Sequence, residues 1–555
     1  MTQATAPRAK LVEQLWQLKA AFEQAQDGRS IHFDTLLRDS DYRRELINEA
    51  AMSRHREMRD LGRSLRVINT DGELRASQHS RKPVNPDIAE MMDWQSQQPA
   101  EEAVRSRRWW LWLLLPALLL AVSLWWVLGR GHEQLVSGSL HGDHVWTADK
   151  TWILDDIVYV EAAATLTIEP GAVVLGQPGS ALVVTRDGQI MARGRADAPI
   201  VFTSAQPEGG RKAGDWGGLV LLGNAPVNTL DAQVEGVPTS DTRGMFGGVD
   251  SRDNCGVLEF VRVEFAGYEV YANNELNGLT LGGCGSNTIV RHVQVHRASD
   301  DGIEIFGGTV DMKHILISGA ADDSLDWDMG WRGRVQFLQV LQYPGMGDNA
   351  IEADNRNGRE DAQPISEPQF YNVTLLSLNS DDKYQRAMTL RRGTGGHFHN
   401  MIISGFSGET IDIKGRVSAS RLSTGMMSFG GLLLYNNGRD GRSHFIEELG
   451  KQDDDGGFDE AAYFASLARR DISPEFSVPV DPVRVPDFRV GSKSPAGQGA
   501  VAVPEGEFWD QGANYLGAVR PGSASTWMLS TTFAIPAPAS STAATMWAPA
   551  RASAC

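Results

Sequence analysis

Cysteine and excess positive charge are both scarce in this chain. Three cysteines occur in 555 residues, which excludes a scaffold held together by many disulfides. Lysine and arginine number 52 against 70 acidic residues, so the formal net charge is -18. Nucleic-acid binding needs a basic surface, and we therefore expect no nucleic acid among the partners.

Two of the cysteines, Cys255 and Cys284, each begin a Cys-Gly turn and lie about one repeat apart. Neighbouring strands in a stacked sheet are about 4.8 Å apart, which is within reach of a disulfide. Two interpretations stay open: a disulfide, or two small buried residues at equivalent turns.

Long apolar runs are also rare, and one stands out at residues 109–128. Its length matches the hydrocarbon core of a bilayer, and tryptophans cluster at both of its ends. Arg105, Arg107 and Arg108 precede it. The positive-inside rule predicts a single transmembrane helix with a cytoplasmic N-terminus and an external C-terminal domain. A buried core helix is the alternative.

Composition divides the rest of the chain. Residues 1–69 show amphipathic helical spacing and are predicted to form a small cytoplasmic helical arm, whose partner the sequence does not identify. Residues 70–108 are polar and contain prolines, as expected of a linker. Residues 138–520 form the main domain. Residues 521–555 are rich in Ser, Thr, Ala and Pro, and we expect a disordered tail.

A short strand phrase recurs through the main domain at intervals of roughly 22 to 35 residues, a period typical of solenoids. The phrases begin at Val261, Val293, Ile315, Leu338, Val373, Met401 and Leu432. Each is bounded by Gly, Asp, Asn or Ser, residues that favour sharp turns. The pattern predicts an all-β fold, a parallel β-helix with like turns stacked above like turns.

Several segments resemble right-handed parallel β-helix proteins of the pectin-lyase-like superfamily. They include TLTIEPGAVV from Thr165, GQIMARGRADAPIVFTS from Gly188 and DDSLDWDMGWRGRVQF from Asp322. The likeness covers residues 138–520 and is to a bacterial extracytoplasmic family that is largely uncharacterised. It implies a right-handed solenoid outside the cytoplasm. The apolar run at 109–128 lies outside the likeness, and with it we expect the domain to face the periplasm from an anchor in the bacterial inner membrane.

Acidic turns follow the strand phrases, and four of their carboxylates are candidate metal ligands: Asp300, Asp301, Asp322 and Asp323. Oxygen-rich clusters suit Ca²⁺, which takes six to eight oxygen ligands. Two other roles stay open. The carboxylates could cap turns by accepting backbone N–H groups. Alternatively, Asp301, Asp322 and Asp323 resemble the spacing of acid and base residues in polysaccharide hydrolases of this fold, although the histidine turn of those enzymes is missing.

Aromatic residues near the acidic turns indicate a ligand surface. Trp327 and Trp331, with Asp326 and Asp328 beside them, have the composition of a sugar-stacking site. Packing against a loop is the alternative for the tryptophans. His397 and His399 share a strand face and are either a metal-binding pair or part of a polar exterior.

These patterns favour a membrane-integral, cell-envelope protein that binds or scaffolds a polysaccharide or other envelope polymer, with Ca²⁺ as its candidate cofactor. The alternatives are a polysaccharide hydrolase or lyase that uses the stacked aspartates, and a purely structural envelope spacer.

Overall fold

The computed structural model describes residues 133–523, except 272–273, 379–383, 447–453 and 478–486, together with parts of residues 11–66. The predicted linker, the apolar run at 109–128 and nearly all of the predicted tail lie outside these residues. Among the described residues, no helix combines the length and apolarity needed to cross a bilayer.

The described residues form 25 strands and four α-helices. The helices are α1 (Ser40–Ala51), α2 (Arg56–Arg66), α3 (Arg416–Thr424) and α4 (Glu460–Tyr463). The first strands are β1 (Glu133–Leu140), β2 (Asp143–Trp146), β3 (Thr151–Val160), β4 (Thr165–Ile168), β5 (Val173–Gly176), β6 (Ala181–Val184), β7 (Gln189–Arg193), β8 (Ile200–Ser204) and β9 (Leu219–Leu222).

The middle and last strands are β10 (Gly256–Glu264), β11 (Glu269–Tyr271), β12 (Asn274–Glu275), β13 (Leu279–Gly282), β14 (Ile289–His296), β15 (Ile303–Phe306), β16 (Asp311–Ser318), β17 (Leu325–Asp328), β18 (Arg334–Gln342), β19 (Asn349–Ala353), β20 (Gln369–Ser377), β21 (Arg386–Leu390), β22 (Gly396–Ser404), β23 (Asp412–Ile413), β24 (Met427–Tyr435) and β25 (Ala468–Arg470).

Parallel pairing arranges these strands into three stacked sheets. Sheet 1 contains the second halves of β1 and β3, then β6, β9, β13, β15, β17, β19, β21 and β23. Sheet 2 contains β2, β4, β7 and the first halves of β10, β14, β16, β18, β20, β22 and β24. Sheet 3 begins with the first halves of β1 and β3, followed by β5 and β8. It continues with the second halves of the long strands that begin in sheet 2, from β10 to β24, and ends at β25. The arrangement confirms the predicted solenoid and is consistent with a right-handed β-helix.

The seven strand phrases predicted from the sequence stack in one register. Val261 pairs with Val293, and the column continues through Ile315, Leu338, Val373, Met401 and Leu432. All seven side chains are buried in the core. Strand side chains alternate between the two faces of a sheet. Residues of one phrase therefore point in turn toward the core and toward the surface, and stacked residues of different phrases point the same way.

The long strands bend between sheets 2 and 3 at residues with positive φ, among them His292, His314 and Asn372. Asparagine and histidine adopt this conformation more readily than most other non-glycine residues. Here the rings stack: His292 lies 4.5 Å from His314, which lies 4.6 Å from Phe337. The stacked rings hold the bend in register from coil to coil.

The two cysteines are joined. Cys255 and Cys284 form a disulfide with their Cα atoms 5.8 Å apart. Of the two interpretations that the sequence leaves open, the structure therefore has the disulfide.

The described parts of the arm are helical, as predicted. Its apolar residues, including Leu15 and Phe22, are buried in one cluster with the outer face of sheet 1 at Tyr159, Val183 and Val220. Lys19 also pairs with Asp156 at 2.9 Å.

This contact does not agree with the predicted separation of the arm from the β-helix by a membrane. A bilayer core is about 30 Å thick, so a direct ion pair cannot form across it.

Candidate functional site

The outer face of sheet 1 changes character along the solenoid. In the early coils it is apolar, with Tyr159, Val183 and Val220 in register. The same column continues through Thr280, Glu304, Asp326, Glu352, Thr389 and Asp412. Three consecutive strands, β15, β17 and β19, therefore present carboxylates directly above one another, and we call Glu304, Asp326 and Glu352 the acidic column.

A second row of polar side chains lies at the turns that lead into these strands. The Asp301 carboxylate accepts the backbone N–H of Asp323 at 2.8 Å. Asp323 in turn accepts the backbone and side-chain N–H groups of Asn349, at 2.6 and 2.9 Å. Both carboxylates thus link successive coils, so the turn-capping role predicted as an alternative applies to Asp301 and Asp323.

Asp301 has a second role besides turn capping, because its side chain also belongs to two carboxylate clusters. One cluster is Asp300, Asp301 and Asp322, and the other is Asp301, Glu304 and Asp326. Within each cluster the oxygen atoms lie within 4.8 Å of one another. Together they place four carboxylates around that of Asp301, a donor set that suits an oxygen-seeking divalent cation.

Three of the four predicted metal ligands lie close together, and their role as metal ligands stays a prediction. Asp300, Asp301 and Asp322 meet, whereas Asp323 belongs to neither cluster and serves the coil-to-coil link. Asp326, predicted as a ligand-binding residue, joins Asp301. The short acidic–apolar alternation in IEIF and LDWD marks Glu304 and Asp326 as outward-facing.

Burial and mutual repulsion disfavour the ionised forms of these acids. Burial, with the neighbouring carboxylates Glu275 and Asp322, raises the pKa of Asp300 to about 7. Burial likewise raises the pKa of Glu352 to about 7, although Arg391 opposes the shift. The pKa values of Asp301, Glu304 and Asp326 are raised well above their ordinary values, first by burial and then by adjacent carboxylates.

A cation would reverse this preference. It would supply positive charge to the clusters and displace the protons that they hold near neutral pH.

Asp328 lies at the edge of the same face, and burial raises its pKa to about 6.

Basic side chains border the far end of the acidic column, and each is paired. Arg391 pairs with Glu352 and with Asp354, the latter at 2.8 Å. Lys414 pairs with Asp412 at 3.3 Å. Burial lowers the pKa of Arg391, but the hydrogen bond to Asp354 and the nearby negative charges outweigh it, so the pKa is raised. A guanidinium held in this way is a poor proton acceptor.

Trp327 and Trp331 do not form the predicted sugar-stacking surface. Both are fully buried, and Trp327 stacks on Phe370 at 5.4 Å. The Trp331 indole N–H donates to the Val310 carbonyl at 3.1 Å, inside the core. The reason is the alternation of the strand: Asp326 and Asp328 point outward, so Trp327 between them points inward.

The sequence interpretation also missed a contribution from outside the repeats. Glu235 lies in the long connection between β9 and β10, and its pKa is raised by burial and by Glu275. It also raises the pKa values of Asp300 and Glu304. No local pattern marks Glu235, because the connection reaches the acidic face only through the fold.

Comparisons with known proteins agree with this architecture. A sequence model of the family described as a pectate-lyase-like β-helix domain matches residues 138–444. A crystal structure of pectate lyase Pel9A shares 11% sequence identity with this chain and has a TM-score of 0.26, over 62% of this chain and 89% of that chain. Similarity that weak carries no argument about activity. No curated protein matches the chain.

Proposed function

The chain belongs to the family of pectate-lyase-like β-helix domains, and on that premise we propose that it binds an anionic polysaccharide through a divalent cation, Ca²⁺, held on the acidic face. One observation carries the proposal. Five carboxylates converge on the outer surface of sheet 1, in two clusters that share Asp301. A bare cluster would repel an acidic polymer, whereas a bound cation would attract one.

The donor set supports Ca²⁺ in preference to a softer metal. Both clusters consist of carboxylates, and hard cations take oxygen ligands, whereas zinc and copper sites contain histidine or cysteine. Asp322 is exposed and Asp300 half-buried, so a cation there would remain open to a ligand from solution.

Binding is favoured over lyase chemistry because the basic groups on this face are engaged. A lyase needs a side chain that removes a proton from the sugar. The candidates Arg391 and Lys414 are both ion-paired with acids of the face, and the pKa of Arg391 is raised.

Hydrolysis is the second candidate, and the raised pKa values favour it. Glycoside hydrolysis uses one carboxyl group that holds its proton near neutral pH and a second that is ionised. Burial and neighbouring carboxylates raise the pKa values of Glu304 and Asp326, which is the direction that the first role requires. Asp301 shares their cluster but also accepts the Asp323 amide, which leaves it less free to act on a substrate.

We further propose that residues 109–128 anchor the protein in a bacterial inner membrane, with the β-helix facing the periplasm. The anchor would hold the acidic face within the cell envelope. The uncharged run, its terminal tryptophans and the preceding arginines support this placement.

The test measures binding of the full chain to polygalacturonate by calorimetry, with Ca²⁺ and with a chelator. Dextran serves as the neutral control polymer. We expect Ca²⁺-dependent binding to polygalacturonate that weakens about tenfold in Asp326→Asn, equivalent to ~1.4 kcal/mol. Asp197→Asn, a carboxylate with a 79% exposed side chain on the β7–β8 turn, is the matched control and should bind normally.

Each alternative gives a different result. New reducing ends with an unsaturated uronate would show a lyase, and new reducing ends without one would show a hydrolase. A chain that binds neither Ca²⁺ nor either polymer would contradict the proposal and favour the structural spacer.

A further inference from the structure

A second constellation of reactive side chains lies on sheet 2, away from the acidic column. The register of β20, β22 and β24 places Gln369, His397 and Ser428 in one column. Glu367 stands two residues before Gln369. Successive coils of the solenoid therefore bring a carboxylate, an imidazole and a hydroxyl together, although they are about 30 residues apart in the chain.

The contacts among them form a relay. Ser428 Oγ lies 2.8 Å from His397 Nδ1, and His397 Nε2 lies 3.2 Å from Glu367 Oε1. One tautomer satisfies both contacts: the serine hydroxyl donates to Nδ1, and Nε2–H donates to the carboxylate. This is the logic of a nucleophile, a general base and an orienting acid, which is recognised by geometry and roles.

The relay is open to solvent. The side chain of His397 is 26% exposed and that of Glu367 is 33% exposed, and Ser428 is half-buried. A substrate could therefore reach the hydroxyl without a change of fold.

A second imidazole approaches the same hydroxyl. His399 Nε2 lies 3.4 Å from Ser428 Oγ, and burial lowers the pKa of His399 to about 4, so its ring is neutral at pH 7. With its proton on Nε2, the ring donates to Ser428 Oγ and holds the hydroxyl beside His397.

Packing fixes this second imidazole in place. His399 lies 4.8 Å from the Tyr371 ring, which in turn lies 4.9 Å from the Trp509 ring. Its other neighbour is Gly430, where an added Cβ would lie 3.0 Å from His399 Nδ1. The C-terminal segment closes this side, because Val501 pairs with Asn400 through two hydrogen bonds of 2.7 and 2.8 Å.

A metal site is a poorer interpretation of the same residues. Among the parts of the chain that the structure describes, the groups of acidic, histidine and cysteine side chains close enough to hold an ion include neither His397 nor His399. The hydroxyl of Ser428 stands between the two rings, in the position that a shared ion would need.

We propose that Ser428, His397 and Glu367 form an acyl-ester hydrolase site, with His399 as a positioning residue for the Ser428 hydroxyl. Ser428 Oγ attacks the acyl carbon and gives its proton to His397 Nδ1. His397 passes that proton to the departing alcohol oxygen as the ester C–O bond breaks, leaving an acyl-serine. Water then attacks the acyl carbon, its proton goes to His397, and the acid leaves as Ser428 regains a proton.

The substrate class follows from the shape of the site. The hydroxyl stands on an open sheet face, which suits a small acyl group carried by a larger alcohol. Ion binding plays no part in the reaction, so the site is independent of the proposed polysaccharide function.

The test uses the full chain with 4-nitrophenyl acetate and with a fluorophosphonate probe, in chelator so that the acidic face is without cation. We expect the probe to modify Ser428, as located by mass spectrometry of the wild type, and ester hydrolysis to fall at least about 100-fold in Ser428→Ala and His397→Gln. Ser423→Ala removes an exposed hydroxyl on α3 and should hydrolyse the ester at the wild-type rate.

Glu367 is a positioning residue and needs a separate measurement. Glu367→Gln should lower kcat with KM unchanged, and Glu367→Asp should restore part of kcat, because a structural role would not divide the two constants in this way. Absence of probe from Ser428 in the wild type, or equal hydrolysis by wild type and Ser428→Ala, would overturn the proposal. Labelling of the wild type decides the question even if a variant fails to fold.

Discussion

Asp301 shows how one residue can combine a structural and a functional contact. One of its carboxylate oxygens accepts the Asp323 amide, which ties two coils together, while the side chain also belongs to both carboxylate clusters. Removing it would therefore confuse loss of a turn with loss of a ligand. Asp300 and Asp326 are cleaner positions for testing the acidic face.

The first residue-scale prediction concerns pH. The pKa of Asp300 rises from 3.8 to about 7 on folding, so the folded state holds a proton that the unfolded state releases. Stability from this group is present below about pH 4 and is lost as the pH rises toward 7. In chelator, we expect the melting temperature to fall between about pH 5 and pH 8.

Two changes should flatten that fall. Asp300→Asn removes the titrating group, and saturating Ca²⁺ stabilises the ionised clusters because it binds the folded state. Calorimetric scans of both proteins across the pH range make the comparison. A melting temperature that rises over this range in chelator would contradict the assignment.

The second residue-scale prediction separates packing from recognition at Trp327. The indole is fully buried and stacks on Phe370, so Trp327→Ala should lower the free energy of unfolding by about 3–5 kcal/mol. Trp327→Phe keeps a ring in the stack and should cost less. Denaturant unfolding gives both values.

Polymer binding by the folded Trp327→Phe variant provides the control for this interpretation. We expect unchanged affinity for polygalacturonate, because the ring does not reach the surface. A selective loss of binding without loss of stability would return Trp327 to the ligand surface that the sequence suggested.

At the scale of strands, the sequence predicts both the stacking of the coils and the face on which each strand side chain lies. The seven strand phrases gave the stacking and the solenoid, since their register follows from a repeated apolar pattern. The segment LDWD also predicts the orientation of its tryptophan. Strand side chains alternate, so with Leu325 in the core, Trp327 is also in the core and both aspartates face outward. The acidic and aromatic composition near this turn suggested a sugar-stacking surface. The two-residue alternation of the strand decides the orientation of Trp327 instead, and it places the ring in the core.

Local sequence patterns do not show which residues of different coils lie next to one another. Glu367, His397 and Ser428 meet because turns of different lengths return the chain to one column, and those lengths do not reveal the register. The same reason hid Glu235, which reaches the acidic face from an irregular connection.

The disulfide gives the prediction for this scale. Cys255 and Cys284 are 29 residues apart in the chain, and closing a loop of that length removes unfolded-state entropy worth ~3–4 kcal/mol. The double change Cys255→Ser with Cys284→Ser should lower the free energy of unfolding by about that amount, measured by denaturant titration. Cys555→Ser is the matched control. Equal stability of the double variant and wild type would show that the bridge adds nothing.

The whole molecule raises the question of what covers the apolar start of sheet 1. The outer face there carries Ile157, Tyr159 and Val183, and the structure covers it with the arm through apolar packing and the Lys19–Asp156 pair. Two buried charges that lose their partner are costly, so the pair fixes the arm at one position. A membrane span at 109–128 would pull the arm away and leave this face to another partner.

Paired cysteines test this choice. Lys19→Cys with Asp156→Cys replaces an ion pair of 2.9 Å, in a chain whose Cys555 is changed to Ser. Cysteine is shorter than the lysine and the aspartate that it replaces, so a short bismaleimide is used to bridge the two thiols. In detergent solution, where no bilayer divides the chain, we expect the reagent to cross-link the two positions. In sealed membrane vesicles we expect no such cross-link, because the inserted span would place about 30 Å of hydrocarbon between arm and β-helix.

Each half of this result can fail separately. A cross-link of equal yield in sealed vesicles would contradict the transmembrane anchor, because both positions must then lie on one side of the bilayer. No cross-link in detergent would contradict the docked arm. The control pair, Lys19→Cys with Asp197→Cys, puts the second thiol on the exposed β7–β8 turn and should not cross-link in either condition. Only a contact at Asp156 then explains a bond in the test pair, since random collision would join both pairs alike.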